Sequence, residues 1–125
     1  MYQVAVSNEF IAMHYLVGGD WGAENHPHSH NYKVEFQISG ETLNQHGYLV
    51  DIVDIENALE VQVEKFQNKL LNDLPEFAGL NPSIEHFSRI LCHAMSEIIQ
   101  EENALSFRIK LWENEEAWAS YQLEL

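Results

Sequence analysis

Cysteine is nearly missing from this chain: Cys92 is the only one in 125 residues. An intramolecular disulfide is therefore excluded, and an intracellular location is expected. Cys92 lies among apolar residues at helical spacing, where a free thiol reads as an inert core group. Basic side chains are also scarce, six Lys and Arg against twenty Asp and Glu, which gives a formal net charge of −14. They do not cluster, so no basic stripe exists to neutralise a nucleic-acid backbone, and nucleic-acid binding is excluded. A polyphosphorylated small substrate would need a compensating metal for the same reason. No apolar run approaches the length of a membrane span, and the N-terminus has neither the charged nor the apolar region of a secretory signal. The expectation is a soluble, cytoplasmic protein with no membrane partner.

The length fits one domain over residues 1–125, burying roughly two-thirds of its unfolded surface. Such a domain folds without disulfide or metal, so any metal would serve function. Tyr2 to Val17 alternates loosely and ends at Gly18-Gly19-Asp20, as a strand running into a turn does. Gly18 to Pro27 reads as an exposed connection. Asn31 to Ser39 is the cleanest strand, with Tyr32, Val34, Phe36 and Ile38 on one face and Lys33, Glu35 and Gln37 on the other. A polar stretch, Gly40 to Gly47, leads to Tyr48-Leu49-Val50 and suggests a hairpin.

From Asp54 the period changes. Ile55, Leu59, Val63, Phe66, Leu70 and Leu74 recur at three- and four-residue steps, predicting a helix capped by Asp54 and stopped before Pro75. Ser83 can cap a second helix with the stripe Ile84, Phe87, Leu91, Cys92, Met95, Ile98 and Ile99. Leu105 to Leu111 and Trp118 to Leu125 alternate again, joined by a turn at Glu113 to Glu116. The expected fold class is α+β: a four-stranded antiparallel sheet with two helices on one face, in the order ββααββ.

Chemistry concentrates in Glu24-Asn25-His26-Pro27-His28-Ser29-His30. On an extended backbone His28 and His30 leave the same face with Cβ atoms roughly 6 to 7 Å apart. Two imidazoles so placed can converge on one ion at Zn–N distances of about 2.0 to 2.1 Å. A third ligand must come from elsewhere. If the first two strands pair antiparallel, His14 near the end of one meets His28 and His30 at the start of the other. His26 shares the alternation and is the rival third ligand, ranked lower because Pro27 intervenes. Three imidazoles with an open fourth position can activate water or polarise an oxygen.

Five stretches now carry a family resemblance: Phe10-Ile11-Ala12-Met13-His14, Glu24 to Tyr32, Gly47 to Ile52, Asn81-Pro82-Ser83-Ile84-Glu85 and Leu111-Trp112-Glu113. In this order, nearly end to end, they resemble the 6-pyruvoyl-tetrahydropterin synthase and 6-carboxy-tetrahydropterin synthase family. The resemblance implies a tunnelling fold assembled as trimers or hexamers. It also implies one zinc on His14, His28 and His30, and a pterin substrate bound at a subunit interface. It further implies that Glu113 anchors the pterin ring, with Asn81 and Ser83 near that ring. From charge alone, Glu113 could as well be a solvated turn residue beside Glu115 and Glu116.

Two departures bear on activity. The family's catalytic cysteine falls four residues before the first His of the pair, where this chain has Glu24, and its Asp-His pair aligns with Gln67-Asn68. Amides hydrogen-bond but do not exchange protons near neutral pH. Glu24 is the candidate base, which a carboxylate becomes only when burial raises its pKa. Members with Glu at this position resemble enzymes that cleave the dihydroneopterin side chain. His46, His86 and His93 remain as substitutes for the absent imidazole. The expected function is a zinc-dependent lyase acting on the side chain of dihydroneopterin or its triphosphate. The alternative is a zinc- and pterin-binding paralogue without turnover.

Overall fold

The computed structural model describes residues 1–125. Its elements run β1 (Tyr2–His14), β2 (His28–Gly40), α1 (Ile52–Phe66), α2 (Ile84–Ile98), β3 (Ser106–Trp112) and β4 (Trp118–Glu124), with 3-10 turns at Gly22–Asn25, Leu71–Asp73 and Pro75–Phe77. The strands form one antiparallel sheet in the order β1-β2-β3-β4. This is the expected α+β architecture. No helix is long and apolar enough to cross a membrane.

Alternation places the core. Tyr32, Val34, Phe36 and Ile38 of β2 are buried on one face beside Phe10 and Ala12 of β1 and Phe107, Ile109 and Leu111 of β3. The helices close over that face with Ile55, Leu59, Val63 and Phe66 from α1 and Phe87, Leu91, Cys92 and Met95 from α2. Each large side chain so buried stabilises by about 1.5 to 3 kcal/mol relative to exposure. At one end of the core the aromatic rings of Phe10, Tyr32, Phe66 and Phe77 surround Phe87, with centroids 5.0–5.8 Å from it. Edge-on geometry at such distances adds to area burial. Cys92 is fully buried, with its Sγ 3.8 Å from the Phe107 carbonyl oxygen. Burial pushes its thiol up to about 11, so it is the inert core group expected.

Several boundaries differ from the sequence expectation, each for a local reason. β1 ends at His14 instead of Val17, because the side-chain amide of Asn72 takes over both backbone groups of Tyr15, at 2.9 Å each. β2 starts at His28, three residues before Asn31, because the first strand is there to pair with it. Tyr48-Leu49-Val50 forms no strand. β2 already has β1 on one side and β3 on the other, and the Asn44 side chain instead folds the loop by accepting from the backbone N–H groups of His46 and Tyr48. Leu49 and Val50 are buried as plugs, and a Cβ at Gly40 would overlap Leu49 and the Asn103 carbonyl oxygen.

α1 is shifted as a whole. Asp51, not Asp54, is the N-cap, accepting from Val53 N–H at 2.9 Å. The helix stops at Phe66 instead of Leu74. Asn68 turns into the left-handed region at φ 60°, and its N–H donates to Ile11 O at 2.7 Å. Lys69 O then accepts from Met13 N–H at 2.9 Å, while Gln67 Oε1 accepts from Ile11 N–H at 3.2 Å. The segment after α1 is thus drawn along the outer edge of β1, beside His14. α2 matches expectation, with Ser83 Oγ accepting from His86 N–H at 3.2 Å.

Candidate functional site

Strand register builds the site. His14 and His28 are direct partners across β1 and β2, Ala12 faces His30, and the even-numbered residues of both strands point to the core face. Three imidazoles therefore meet at the end of the sheet, with ring centroids 4.6, 4.9 and 4.9 Å apart. Their ligand atoms all lie within 4.8 Å of one another, and the group is capable of holding a metal ion. His26 is exposed and outside the group. It contributes its backbone instead, since its carbonyl oxygen lies 2.9 Å from His28 Nδ1.

Two of the three rings are fixed by carbonyl acceptors. His14 Nδ1 is 2.9 Å from Pro82 O, as His28 Nδ1 is from His26 O. A carbonyl oxygen accepts only, so each Nδ1 carries the proton and each Nε2 keeps its lone pair. Orientation by a second partner of this kind is what metal-bound imidazoles use. The Nε2 atoms of His28 and His30 are buried without a hydrogen-bond partner. Buried polar nitrogens seldom stay unpaired, and two aimed at one point fit a cation. An all-nitrogen set of three suits zinc among other transition metals.

Burial sets the protonation of the site. Desolvation lowers the pKa of His14 from 6.5 to about 4, although the Pro82 carbonyl opposes it. His30 is lowered by the same cause, against the pull of the Glu113 carboxylate. Both rings are then neutral at physiological pH, the state in which imidazole binds metal. Tyr32 forms the floor, its ring centroid 5.7 Å from that of His30 and its hydroxyl 3.4 Å from His14 Nδ1. Burial raises its phenol well above the usual range.

Glu113 follows β3 and continues its alternation, so its side chain turns to the core face whereas Glu115 and Glu116 are exposed. Its Oε1 lies 3.1 Å from His30 Nε2 and 3.6 Å from His14 Nε2, outside hydrogen-bond alignment with His30. It is therefore a member of the cluster and not a solvated turn residue. Glu24 is exposed in the Gly22–Asn25 turn, and its charge acts electrostatically on His14 and His30. Asn81 and Ser83 have structural partners: Asn81 Oδ1 accepts from Val17 N–H at 3.1 Å, and Ser83 caps α2.

Of the aligned pair, Gln67 and Asn68 are engaged with Ile11. His46 lies in a separate cleft of about 700 Å³ with Tyr2 and Tyr48, His86 is next to Arg89, and His93 is next to Tyr121. None of the three joins the imidazole cluster. Sequence reasoning missed the contribution of Pro82, because a carbonyl acceptor leaves no signature in residue type. It also missed Asn25 and Asn72, whose side chains hold the backbone around the site.

Comparison with known proteins bears on the family and the fold. The family model described as 6-pyruvoyl tetrahydropterin synthase matches residues 3–124. The chain belongs to that family. An Archaeoglobus fulgidus protein named "Putative 6-carboxy-5,6,7,8-tetrahydropterin synthase" is 29% identical over 116 residues, covering 93% of this chain and 91% of its own length. The 6-pyruvoyl tetrahydrobiopterin synthase of Dictyostelium discoideum is 26% identical over 99 residues, 78% of this chain and 71% of its own. Among solved structures, a catalytic-residue mutant of Plasmodium vivax 6-pyruvoyltetrahydropterin synthase superposes with a TM-score of 0.86 at 12% identity. That match covers 99% of this chain and 98% of the other, so the two share the tunnelling fold of the family over their full lengths.

Proposed function

We propose that this member of the tetrahydropterin synthase family is a zinc-dependent lyase that cleaves the side chain of dihydroneopterin, acting in the cytoplasm. The observation that carries the reading is the convergence of three imidazoles, two with Nδ1 tied to carbonyl oxygens, against the carboxylate of Glu113, with Glu24 in the turn that leads into β2. His14, His28 and His30 would hold the metal through Nε2. Bound there, zinc supplies Lewis acidity toward a side-chain hydroxyl.

The chain's own residues would do the rest. Glu113 would accept hydrogen bonds from the pterin ring and fix its orientation, with Asn81 and Ser83 shaping the neighbouring wall. Glu24 would take the proton released at the side chain. An exposed carboxylate is a weak base, and substrate covering Glu24 would raise its affinity for that proton. One of the similar solved structures is a mutant in which a glutamate named as a catalytic residue has been replaced by alanine, which supports a glutamate as a catalytic group here. The scarcity of Lys and Arg favours the unphosphorylated substrate over the triphosphate. β1 and β4 are the sheet edges, flanked by the half-exposed Tyr2 and Trp118, and support assembly into a homo-oligomeric trimer or hexamer.

Zinc-loaded protein incubated with dihydroneopterin, or with its triphosphate, and followed by chromatography tests the reading. A released side-chain fragment is expected from dihydroneopterin, and loss of turnover by at least about a hundredfold in Glu24→Gln. No product from either compound would sink it. A second reading is favoured by the structural employment of Gln67 and Asn68, which leaves no imidazole for proton relay: a paralogue that binds zinc and pterin without turnover. Pterin binding abolished by Glu113→Ala, with no product formed, would establish that instead.

A further inference from the structure

Glu24 makes no side-chain hydrogen bond of its own, so its position is inherited from the loop that carries it. That loop, Tyr15 to Pro27, leaves the sheet at one metal-ligand candidate and returns at another. Asn25 closes it. Its Oδ1 accepts from Trp21 N–H at 2.8 Å, and its Nδ2 donates to Leu16 O and to Gly19 O, each at 3.0 Å. The neighbouring Glu24 carbonyl completes the closure by accepting from Leu16 N–H at 2.8 Å. The indole of Trp21 lies across Gly19, where a Cβ would come within 2.6 Å of the ring. The half-buried Asn25 side chain thus ties both ends and the middle of the loop, and every one of these bonds fixes backbone next to Glu24.

We infer that Asn25 is the positioning residue for Glu24: its amide latches the loop so that the Glu24 carboxylate is held beside the imidazole cluster. Asparagine suits this place because one side chain must offer two donors and one acceptor. Aspartate has nearly the same shape but offers no donor, and would set carboxylate oxygens against the Leu16 and Gly19 carbonyls. Displacing a reacting group by about 1 Å costs roughly a hundredfold in rate. The inference rests on the proposed role of Glu24, and the experiment separates the two.

Turnover and zinc content are measured for the wild type, Asn25→Ala, Asn25→Asp, Glu24→Gln and the double variant Asn25→Ala with Glu24→Gln. Both Asn25 variants should lose about tenfold to a hundredfold in kcat with KM little changed and zinc retained. In the Glu24→Gln background Asn25→Ala should cost nothing more, because the group it positions is gone. Equal, additive losses in both backgrounds, or full rescue by aspartate, would overturn the positioning role. Glu24→Gln at the wild-type rate would overturn the base assignment itself, and this role with it. Amide exchange gives a readout independent of turnover: the Leu16 and Trp21 amides should exchange at least about tenfold faster in Asn25→Ala. Unchanged protection there would show that Asn25 does not latch the loop.

Discussion

His14 and His28 face each other directly across β1 and β2, their rings 4.6 Å apart at 70°. That pairing brings a residue from the first strand to two others far along the chain. Removing either partner should abolish metal binding without unfolding the sheet. His28→Ala is the cleaner test, since its Nδ1 serves only the nearby His26 carbonyl. Elemental analysis should fall from about one zinc per chain to below about a tenth. Zinc at about a hundred times its dissociation constant should stabilise the wild type by about 2.7 kcal/mol and leave the variant unchanged. Equal zinc content in both proteins would contradict the site.

Acid should weaken the metal-free protein through His14. Its pKa is 6.5 in the unfolded chain and about 4 when folded, lowered by desolvation, with His30 shifted the same way. Between those values the unfolded chain binds a proton that the folded one does not, so stability rises with pH. The contribution is complete above about 6.5 and is lost progressively toward about 4. The many carboxylates add their own pH dependence, so the measurement is a difference. Urea midpoints of chelated wild type and His14→Asn, compared from pH 7.5 to 4.5, should show a steeper acid decline in the wild type. Parallel curves would rule it out.

Glu113→Gln keeps the shape of the side chain and removes its charge. Because Glu113 raises the proton affinity of His30, the variant should hold that ring neutral to still lower pH. Zinc content should therefore stay near the wild-type value while pterin affinity, followed by fluorescence titration, falls at least about tenfold. Loss of zinc with retained pterin affinity would reverse the assignment.

The left-handed turn at Asn68 separates α1 from the edge of β1. Asn68→Gly should leave stability within about 0.5 kcal/mol, and Asn68→Val should cost about 1 to 2 kcal/mol, because a β-branched residue resists positive φ. Chemical denaturation checks both. A neutral valine would mean that the turn is set elsewhere.

These sites show which features sequence alone could carry. The pair His28 and His30 was legible because strand periodicity decides which side chains share a face. His14 needed the further step that two strands pair, and the register supplied it. Apolar periodicity reports burial and not backbone conformation, so Leu70 and Leu74 extended the helical pattern past Phe66 although they are extended residues flanking 3-10 turns. Tyr48-Leu49-Val50 looked like a strand because plugs and strands use the same residues. The backbone-tying roles of Asn25, Asn72 and Asn81 were invisible. Each imitates backbone hydrogen bonding with an amide, and only the folded chain shows which backbone it serves.

Pro82 lends its carbonyl to His14, and the next residue caps α2. A candidate metal ligand and a helix start therefore share one backbone junction, placed at the end of the aromatic cluster around Phe87. Occupancy of the imidazoles should be felt as a change in how tightly the first turn of α2 is wound. The helix that looks like mere roofing over the sheet would then act as a gauge, reporting through its first turn whether the site is loaded.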